Sequence, residues 1–168
     1  MLKKSLLLII VTTLTSCTAF LIYRIIERLN DKKESLGNLE TRSHLTLFDF
    51  DSAQFFLPSN RKSVIVYFNS ECNHCQYELD QIFANTEKFI DADVVLTSSE
   101  LIRAIKQFAK ANYPGALENI RFLKINPDEA YKTFGSLAVP QIFIYGTDGL
   151  LIRKFNGETK IDAILQYL

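Results

Sequence analysis

Residues 63–75 read SVIVYFNSECNHC and combine two sequence patterns. After the leading serine, the next five residues are β-branched or aromatic, which is typical of a strand buried on both faces. A Cys-x-x-Cys motif, Cys72 to Cys75, follows the strand after a gap of three residues. Such a motif between a buried strand and the start of a helix is a specific indication of redox-active thiols.

The position of Cys72 favours a thiolate. A helix that starts directly after Cys72 places free N–H groups and the positive end of its dipole beside that sulfur. One helical turn brings Cys75 beneath Cys72, close enough to form a disulfide. We expect the exposed Cys72 to attack and Cys75 to resolve the mixed disulfide. A charged His74 would favour the thiolate, whereas the charge of Glu71 would oppose it.

Two other interpretations of the cysteine pair remain open, namely half of a zinc site and a purely structural disulfide. Zinc takes four ligands, and the only further candidates are His44 and Cys17. Cys17 lies in an apolar N-terminal segment, and His44 is expected to be an ordinary residue at the end of a strand. The residues therefore imply no metal and no organic cofactor.

Strands and helices alternate along most of the chain. The patterns predict strands at 44–50, 63–68, 93–97, 120–125, 141–145 and 150–155. They predict helices at 73–90, from a Ser98 or Ser99 cap to Asn112, at 127–134 and at 161–168. The turn Gly146-Thr147-Asp148-Gly149 predicts a hairpin between the last two strands. This order predicts an α/β three-layer sandwich with a mixed central sheet.

The N-terminal segment predicts a membrane anchor. Residues 5–23 contain no charged side chain, and about 20 apolar residues suffice to cross the hydrocarbon core. Lys3 and Lys4 precede this run and favour a cytoplasmic N-terminus. We therefore expect a single-pass inner-membrane protein with its domain on the extracytoplasmic, periplasmic side. The expected parts are an anchor at 1–29, a tether at 30–43 and one domain at 44–168.

Two alternatives to an uncleaved helix remain open. Leu14-Thr15-Ser16-Cys17 resembles a lipobox, in which Cys17 would become the lipidated first residue of a lipoprotein. The apolar run continues past Cys17, whereas a mature lipoprotein normally continues into a polar tether. A cleaved signal peptide is the other alternative, although its apolar stretch normally spans only about 7–15 residues.

Composition excludes several classes of protein. Hydrophobic residues make up 48% of the 168 residues, so disorder over most of the chain is excluded. The formal net charge is zero, and residues 30–168 carry 15 basic against 18 acidic residues, a net charge of −3. Without a basic surface field, nucleic acid is not an expected partner.

The motifs resemble those of the thioredoxin-like superfamily, closest to membrane-anchored thiol–disulfide oxidoreductases of the TlpA/ResA type. The resemblance covers residues 45–168 and rests on strand 64–68, the Cys-x-x-Cys motif, Val139-Pro140, Asp148-Gly149 and Gly157. It implies disulfide exchange with protein thiols or disulfides, with membrane lipid around the anchor. It also implies a cis peptide bond before Pro140 that packs against the cysteines. The backbone of Val139 would then pair with an extended substrate peptide.

The chain departs from this family at two positions. Glu71 stands where the family often has tryptophan, and the chain contains no tryptophan. Val66 stands where thioredoxin has a buried aspartate, so a proton relay through that position is missing. These departures support an alternative function, a non-catalytic thioredoxin-like module that binds a partner at the membrane.

Overall fold

The structure, a computed structural model, describes the backbone of residues 2–115 and 117–168 and the side chains of residues 10–30, 40–115 and 117–168. Its helices are α1 (Leu2–Leu39), α2 (Asn73–Phe83), α3 (Ile102–Asn112), α4 (Pro127–Phe134) and α5 (Ile161–Leu165). Its strands are β1 (Leu47–Phe48), β2 (Gln54–Phe55), β3 (Lys62–Tyr67), β4 (Ala92–Ser98), β5 (Ile120–Ile125), β6 (Gln141–Tyr145) and β7 (Leu151–Asn156). Two 3₁₀ turns cover Arg42–His44 and Thr86–Phe89.

The strands form one mixed sheet in the order β2-β1-β5-β4-β3-β6-β7. The three central strands β3, β4 and β5 are parallel, and the outer strands pair antiparallel. Parallel neighbours need a crossover connection, which α2 and α3 supply. The register that aligns Tyr67 with Thr97 brings the carboxyl ends of β3 and β4 to the same edge.

Helices cover both faces of the sheet. Helices α2, α3 and α5 pack on one face through buried apolar side chains such as Leu79, Ile105 and Ile164. Helix α4 covers the other face through Ala130 and Phe134. Successive residues of β3 alternate between the two clusters, with Val64 and Val66 in the first and Ile65 in the second. The predicted three-layer sandwich with a mixed sheet is therefore confirmed.

Helix α1 extends further than the patterns predicted. Its backbone is helical through Leu39, so the predicted tether at 30–43 is mostly helix, and α1 contacts α4. Residues Ile10–Asn30 are long and apolar enough to cross a membrane, with mean hydropathy 1.3. The side chains of residues 5–9, the first part of the predicted 5–23 segment, lie outside the described residues, as do those of Lys3 and Lys4.

A buried arginine attaches the segment after α1 to the sheet. The Arg42 side chain donates to the Arg61 carbonyl at 2.9 Å and to the Ser63 hydroxyl at 2.7 Å. Its backbone N–H donates to the Gly149 carbonyl at 2.9 Å. Gly149 has φ +79°, and a Cβ there would lie 3.4 Å from the Arg42 side chain. The positive φ therefore favours glycine at this position, while the Arg42 side chain leaves room for a Cβ in ordinary van der Waals contact.

Three local predictions differ from the structure. The predicted strand 44–50 is paired only at Leu47–Phe48, and His44 ends a 3₁₀ turn instead. The predicted helix 73–90 ends at Phe83 and resumes as a 3₁₀ turn at Thr86–Phe89. Leu101, without a side-chain cap, precedes α3, because the hydroxyls of Ser98 and Ser99 bond to other side chains.

We expect Arg42→Ala to lower the free energy of unfolding by about 2–4 kcal/mol, because it leaves a buried hydroxyl and carbonyl oxygens without their donor. Chemical denaturation of the full chain in detergent measures this change. Arg103→Ala, at an exposed position of α3, is the matched control and should change it by less than about 0.5 kcal/mol. Equal effects of the two substitutions would contradict the role of Arg42.

Candidate active site

Cys72 and Cys75 lie at the start of α2, after the loop that follows β3. Cys72 is the N-cap residue, with φ −89° and ψ 113°, and its side chain makes no capping hydrogen bond. The free N–H groups of the first turn therefore lie beside the Cys72 sulfur. Cys72 is partly exposed, Cys75 is fully buried, and both are free thiols in this structure.

The two sulfurs have different electrostatic surroundings. Burial is the main reason that the pKa of the Cys75 thiol lies far above its ordinary value. A hydrogen bond to Cys72 and the negative charges of Cys72 and Glu100 raise this pKa further, whereas the backbone N–H of Asn69 lowers it. Cys75 therefore keeps its proton at neutral pH and can donate it towards the more exposed sulfur.

A cavity of about 400 Å³ opens beside Cys72. Its lining is mostly apolar or aromatic and comprises Tyr67, Phe68, Asn69, Glu71, Cys72, Ser99, Leu137 and Val139. The peptide bond between Val139 and Pro140 is cis. Pro140 is buried behind the cavity, and its carbonyl accepts the Gly157 N–H at 2.9 Å. The structure thus brings Cys72, Glu71 and Val139 to one cavity.

His74 does not line this cavity. Its side chain is 75% exposed, and its Nδ1 is 2.5 Å from Oε1 of Glu158 in the loop after β7. A protonated His74 therefore has a carboxylate as its direct partner. The negative charge of Glu158 therefore offsets part of the effect that a positive charge on His74 would have at the Cys72 sulfur.

A buried acid that the sequence analysis missed lies one turn after Cys75. Glu78 is fully buried, and its Oε2 accepts the Thr159 N–H at 2.7 Å. Its Oε1 has no partner among the described residues. Burial and the nearby charge of Glu158 raise the pKa of Glu78 to about 7, against the opposing effect of the Thr159 N–H. A carboxyl three residues after Cys75, on the apolar face of α2, was the sequence signal for this group.

A larger cavity of about 720 Å³ lies near the outer edge of the sheet, between α3, β5 and the β1–β2 turn. Its cations Lys106 and Arg121 lie over the rings of Phe50 and Phe55. No cysteine lines this cavity. Among the described residues, no group of three or more His, Cys, Asp or Glu side chains could hold a metal ion. We therefore place the candidate active site at Cys72.

Comparison with solved structures identifies the fold. The chain is similar to StoA from Bacillus subtilis, with TM-score 0.58 and 17% identity over 73% of this chain and 93% of that chain. It is also similar to the exposed lipoprotein thioredoxin Etrx1 from Streptococcus pneumoniae, with TM-score 0.60 and 20% identity over 72% and 94% of the two chains. No family model and no curated protein sequence matches the chain.

A third similar structure is MTB DsbF, with TM-score 0.62 and 16% identity over 77% of this chain and 93% of that chain. At such identities the similarity establishes the fold alone. The chain therefore has the thioredoxin-like fold that its motifs implied.

We expect Glu78→Gln to remove a pH dependence of stability. An unfolded carboxyl ionises near its ordinary pKa of 4.5, whereas folded Glu78 stays protonated until about pH 7. The unfolded state therefore binds fewer protons in this window, and stability falls as pH rises from 4.5 to 7. The shift corresponds to at most about 3 kcal/mol.

Chemical denaturation of the full chain at several pH values tests this expectation. The free energy of unfolding of Glu78→Gln should exceed that of the parent progressively between pH 5 and 7 and then stay above it. Glu87→Gln, at an exposed position, is the matched control and should show no such trend. A constant difference between Glu78→Gln and the parent at all pH values would contradict the raised pKa.

Proposed function

We propose that this chain is a thiol–disulfide oxidoreductase that acts on protein thiols or disulfides through Cys72 and Cys75. The observation that carries the proposal is the asymmetry of the two sulfurs on a thioredoxin-like fold. Cys72 is accessible at the N-terminus of α2, and Cys75 is buried one turn later beside it. A pair of thiols in this arrangement can attack with one sulfur and resolve with the other.

In the proposed reductive direction, the Cys72 thiolate attacks one sulfur of a substrate disulfide. The substrate S–S bond breaks, a mixed disulfide forms, and one substrate thiolate leaves. Cys75 then loses its proton and attacks the Cys72 sulfur, which forms the Cys72–Cys75 disulfide and releases the second substrate thiolate. Two electrons pass from the dithiol to the substrate, and the same steps in reverse oxidise a substrate dithiol.

Glu78 is the proposed proton acceptor for Cys75. Residues three apart on a helix are neighbours on one face, and both side chains are fully buried. A carboxyl with its pKa raised to about 7 can take up and release a proton near neutral pH. This group would replace the buried acid that is absent at Val66.

The cavity beside Cys72 is the proposed substrate groove. Val139 lines it, and its backbone is the proposed pairing partner of an extended substrate peptide. Leu137, 56% exposed, provides an apolar wall for a side chain next to the substrate cysteine. Glu71 and His74 are the proposed tuning residues, with His74 acting through its contact with Glu158.

We further propose that α1 anchors the domain at residues 44–168 to the cell inner membrane in a single pass, with the domain on the extracytoplasmic side. The apolar, exposed surface of residues Ile10–Asn30 supports an anchor. A lipoprotein anchored at Cys17 is the alternative, and the similar structure Etrx1 is described as an exposed lipoprotein.

Thiol trapping tests the roles of the cysteines. In a Cys17→Ser background, reduced Cys75→Ser should accumulate mixed disulfides with native insulin. Cys72 opens an insulin disulfide, and the sulfur that would resolve the mixed disulfide is absent. Cys72→Ser is the matched control and should trap none. The protein with both cysteines should reduce insulin repeatedly when dithiothreitol restores its dithiol. Binding of a partner without turnover or trapping would favour the non-catalytic module instead.

Membrane fractionation tests the anchor. The full chain should sediment with membranes and resist extraction by high salt, because apolar burial is insensitive to ionic screening. Cys17→Ser should fractionate in the same way if α1 spans the membrane. Loss of Cys17→Ser from the membrane, together with an N-terminal mass that begins at a lipidated Cys17 in the parent, would support the lipoprotein alternative.

A further inference from the structure

We propose that Glu100 is a positioning residue of the dithiol: it holds the loop that carries Cys72 and places a fixed negative charge beside Cys75. The inference deepens the proposed function and rests on it for its catalytic meaning. Glu100 lies two residues beyond the end of β4 at Ser98, and nothing in its local sequence marks it as part of the site.

The Glu100 carboxylate binds the loop before Cys72 through Ser70. Its Oε2 accepts the Ser70 N–H at 2.8 Å, and its Oε1 accepts the Ser70 hydroxyl at 2.6 Å. Gln76 of α2 donates to the Ser70 carbonyl at 2.7 Å. All three polar groups of Ser70 thus form hydrogen bonds with side chains. Glu100, after β4, and Gln76, on α2, therefore hold the loop together.

A carboxylate suits this position better than an amide. The Ser98 hydroxyl also donates to Oε2 of Glu100, at 2.8 Å, so three donors converge on the two oxygens. A carboxylate only accepts, and hydrogen bonds to a charged acceptor are shorter and stronger than neutral ones. A glutamine would direct its own NH₂ group at one of these donors.

The fold brings Glu100 to the loop. Because β3 and β4 are parallel and in register from Lys62 to Tyr67, the loops after both strands meet at one edge. Ser70 is three residues beyond the last paired residue of β3, and Glu100 is three residues beyond its partner Thr97. The contact is therefore a direct consequence of the parallel register.

The same loop also contacts Cys75. The backbone N–H of Asn69 lowers the pKa of Cys75, and the adjacent N–H of Ser70 donates to Glu100. Adjacent residues of the loop before Cys72 thus interact with Cys75 and with the Glu100 carboxylate. The charged or titratable groups around Cys75 are Glu71 and Cys72 on the loop, His74 and Glu78 on α2, Glu158 after β7, and Glu100 after β4.

Of these groups, the charges that raise the pKa of Cys75 are those of Cys72 and Glu100. Glu100 therefore favours the protonated form of Cys75. A protonated, buried Cys75 leaves the attack to the accessible sulfur of Cys72. Glu100 also slows the later deprotonation of Cys75, so it lengthens the lifetime of the mixed disulfide.

The inference can be tested by two measurements on the full chain in detergent, and neither measurement requires a substrate. The ¹³Cβ shift of Cys75 in a Cys72→Ser background reports its thiolate fraction, and amide hydrogen exchange reports how firmly the loop is held. In Glu100→Gln, the Cys75 thiolate fraction at pH 9.5 should rise about threefold, as expected when a nearby like charge is removed. Exchange of the Ser70 amide should accelerate at least about tenfold.

Two further variants separate charge from loop attachment. Ser70→Ala keeps the negative charge of Glu100 but removes the hydrogen bond from the Ser70 hydroxyl. Amide hydrogen exchange in the loop should therefore accelerate, while the Cys75 thiolate fraction stays at the parent value. Glu100→Asp keeps the charge on a shorter side chain and should behave in the same way. An unchanged thiolate fraction in Glu100→Gln, or unchanged loop exchange in that variant, would overturn the inference. Suppose that Glu100→Gln shows both the higher Cys75 thiolate fraction and the faster amide exchange, but the parent does not turn insulin over. That result would overturn the proposed function alone.

Discussion

The parallel pairing of β3 with β4 is the constraint on which the candidate site depends. It brings the loop that carries Cys72 and the residues after Ser98 to one edge of the sheet. It also requires a crossover, and α2, which supplies it, begins at the cysteine pair. Antiparallel pairing of β3 with β6 then brings Gln141 opposite Tyr67 and places Val139 and Pro140 beside the same edge. Three separate parts of the chain therefore converge on one sulfur.

The two neighbouring thiols differ in burial, and burial determines how easily a thiol can carry a negative charge. The sheet and the first apolar cluster enclose Cys75, whereas Cys72 remains in contact with the groove. Desolvation disfavours the charged form of any group, and so it disfavours the Cys75 thiolate and the Glu78 carboxylate together. Of the two buried groups, only Glu78, with its pKa raised to about 7, can change its protonation near neutral pH. Glu100, in contrast, accepts hydrogen bonds from three donors at the same edge of the sheet.

The sequence predicted the elements that have strong local patterns. The runs of β-branched residues gave β3, β4 and β5 within a residue or so, and the cysteine motif correctly located the start of α2. The short pairs Leu47–Phe48 and Gln54–Phe55 at the sheet edge are too brief for a pattern of period two to identify them. Gly37 did not end α1, because residues 31–36 are mostly good helix formers and one glycine costs only about 1 kcal/mol.

Side-chain partners were harder to predict than elements. His74 pairs with Glu158, 84 residues away, and no local pattern connects them. Ser98 and Ser99 matched the composition of a helix cap, but their hydroxyls bond to Glu100 and Tyr67 instead. The preference of serine for a helix N-cap was therefore outweighed by hydrogen-bond partners that the tertiary fold supplies. Glu78 did carry a local signal, since a charged residue beside Leu79 and Ile82 interrupts an apolar face.

The position of the buried acid has a physical consequence for the fold. Val66 lies on the central strand and is fully enclosed by apolar side chains. A carboxyl at that position would need a partner inside the cluster, because burying an unpaired polar group costs free energy. On α2, by contrast, Glu78 reaches the backbone of the loop after β7, and the Thr159 N–H satisfies one of its oxygens. The helix can thus carry a titratable group that the strand could hold only with a rebuilt core. The same loop carries Glu158, which contacts His74, so α2 is attached to it on both sides of Cys75.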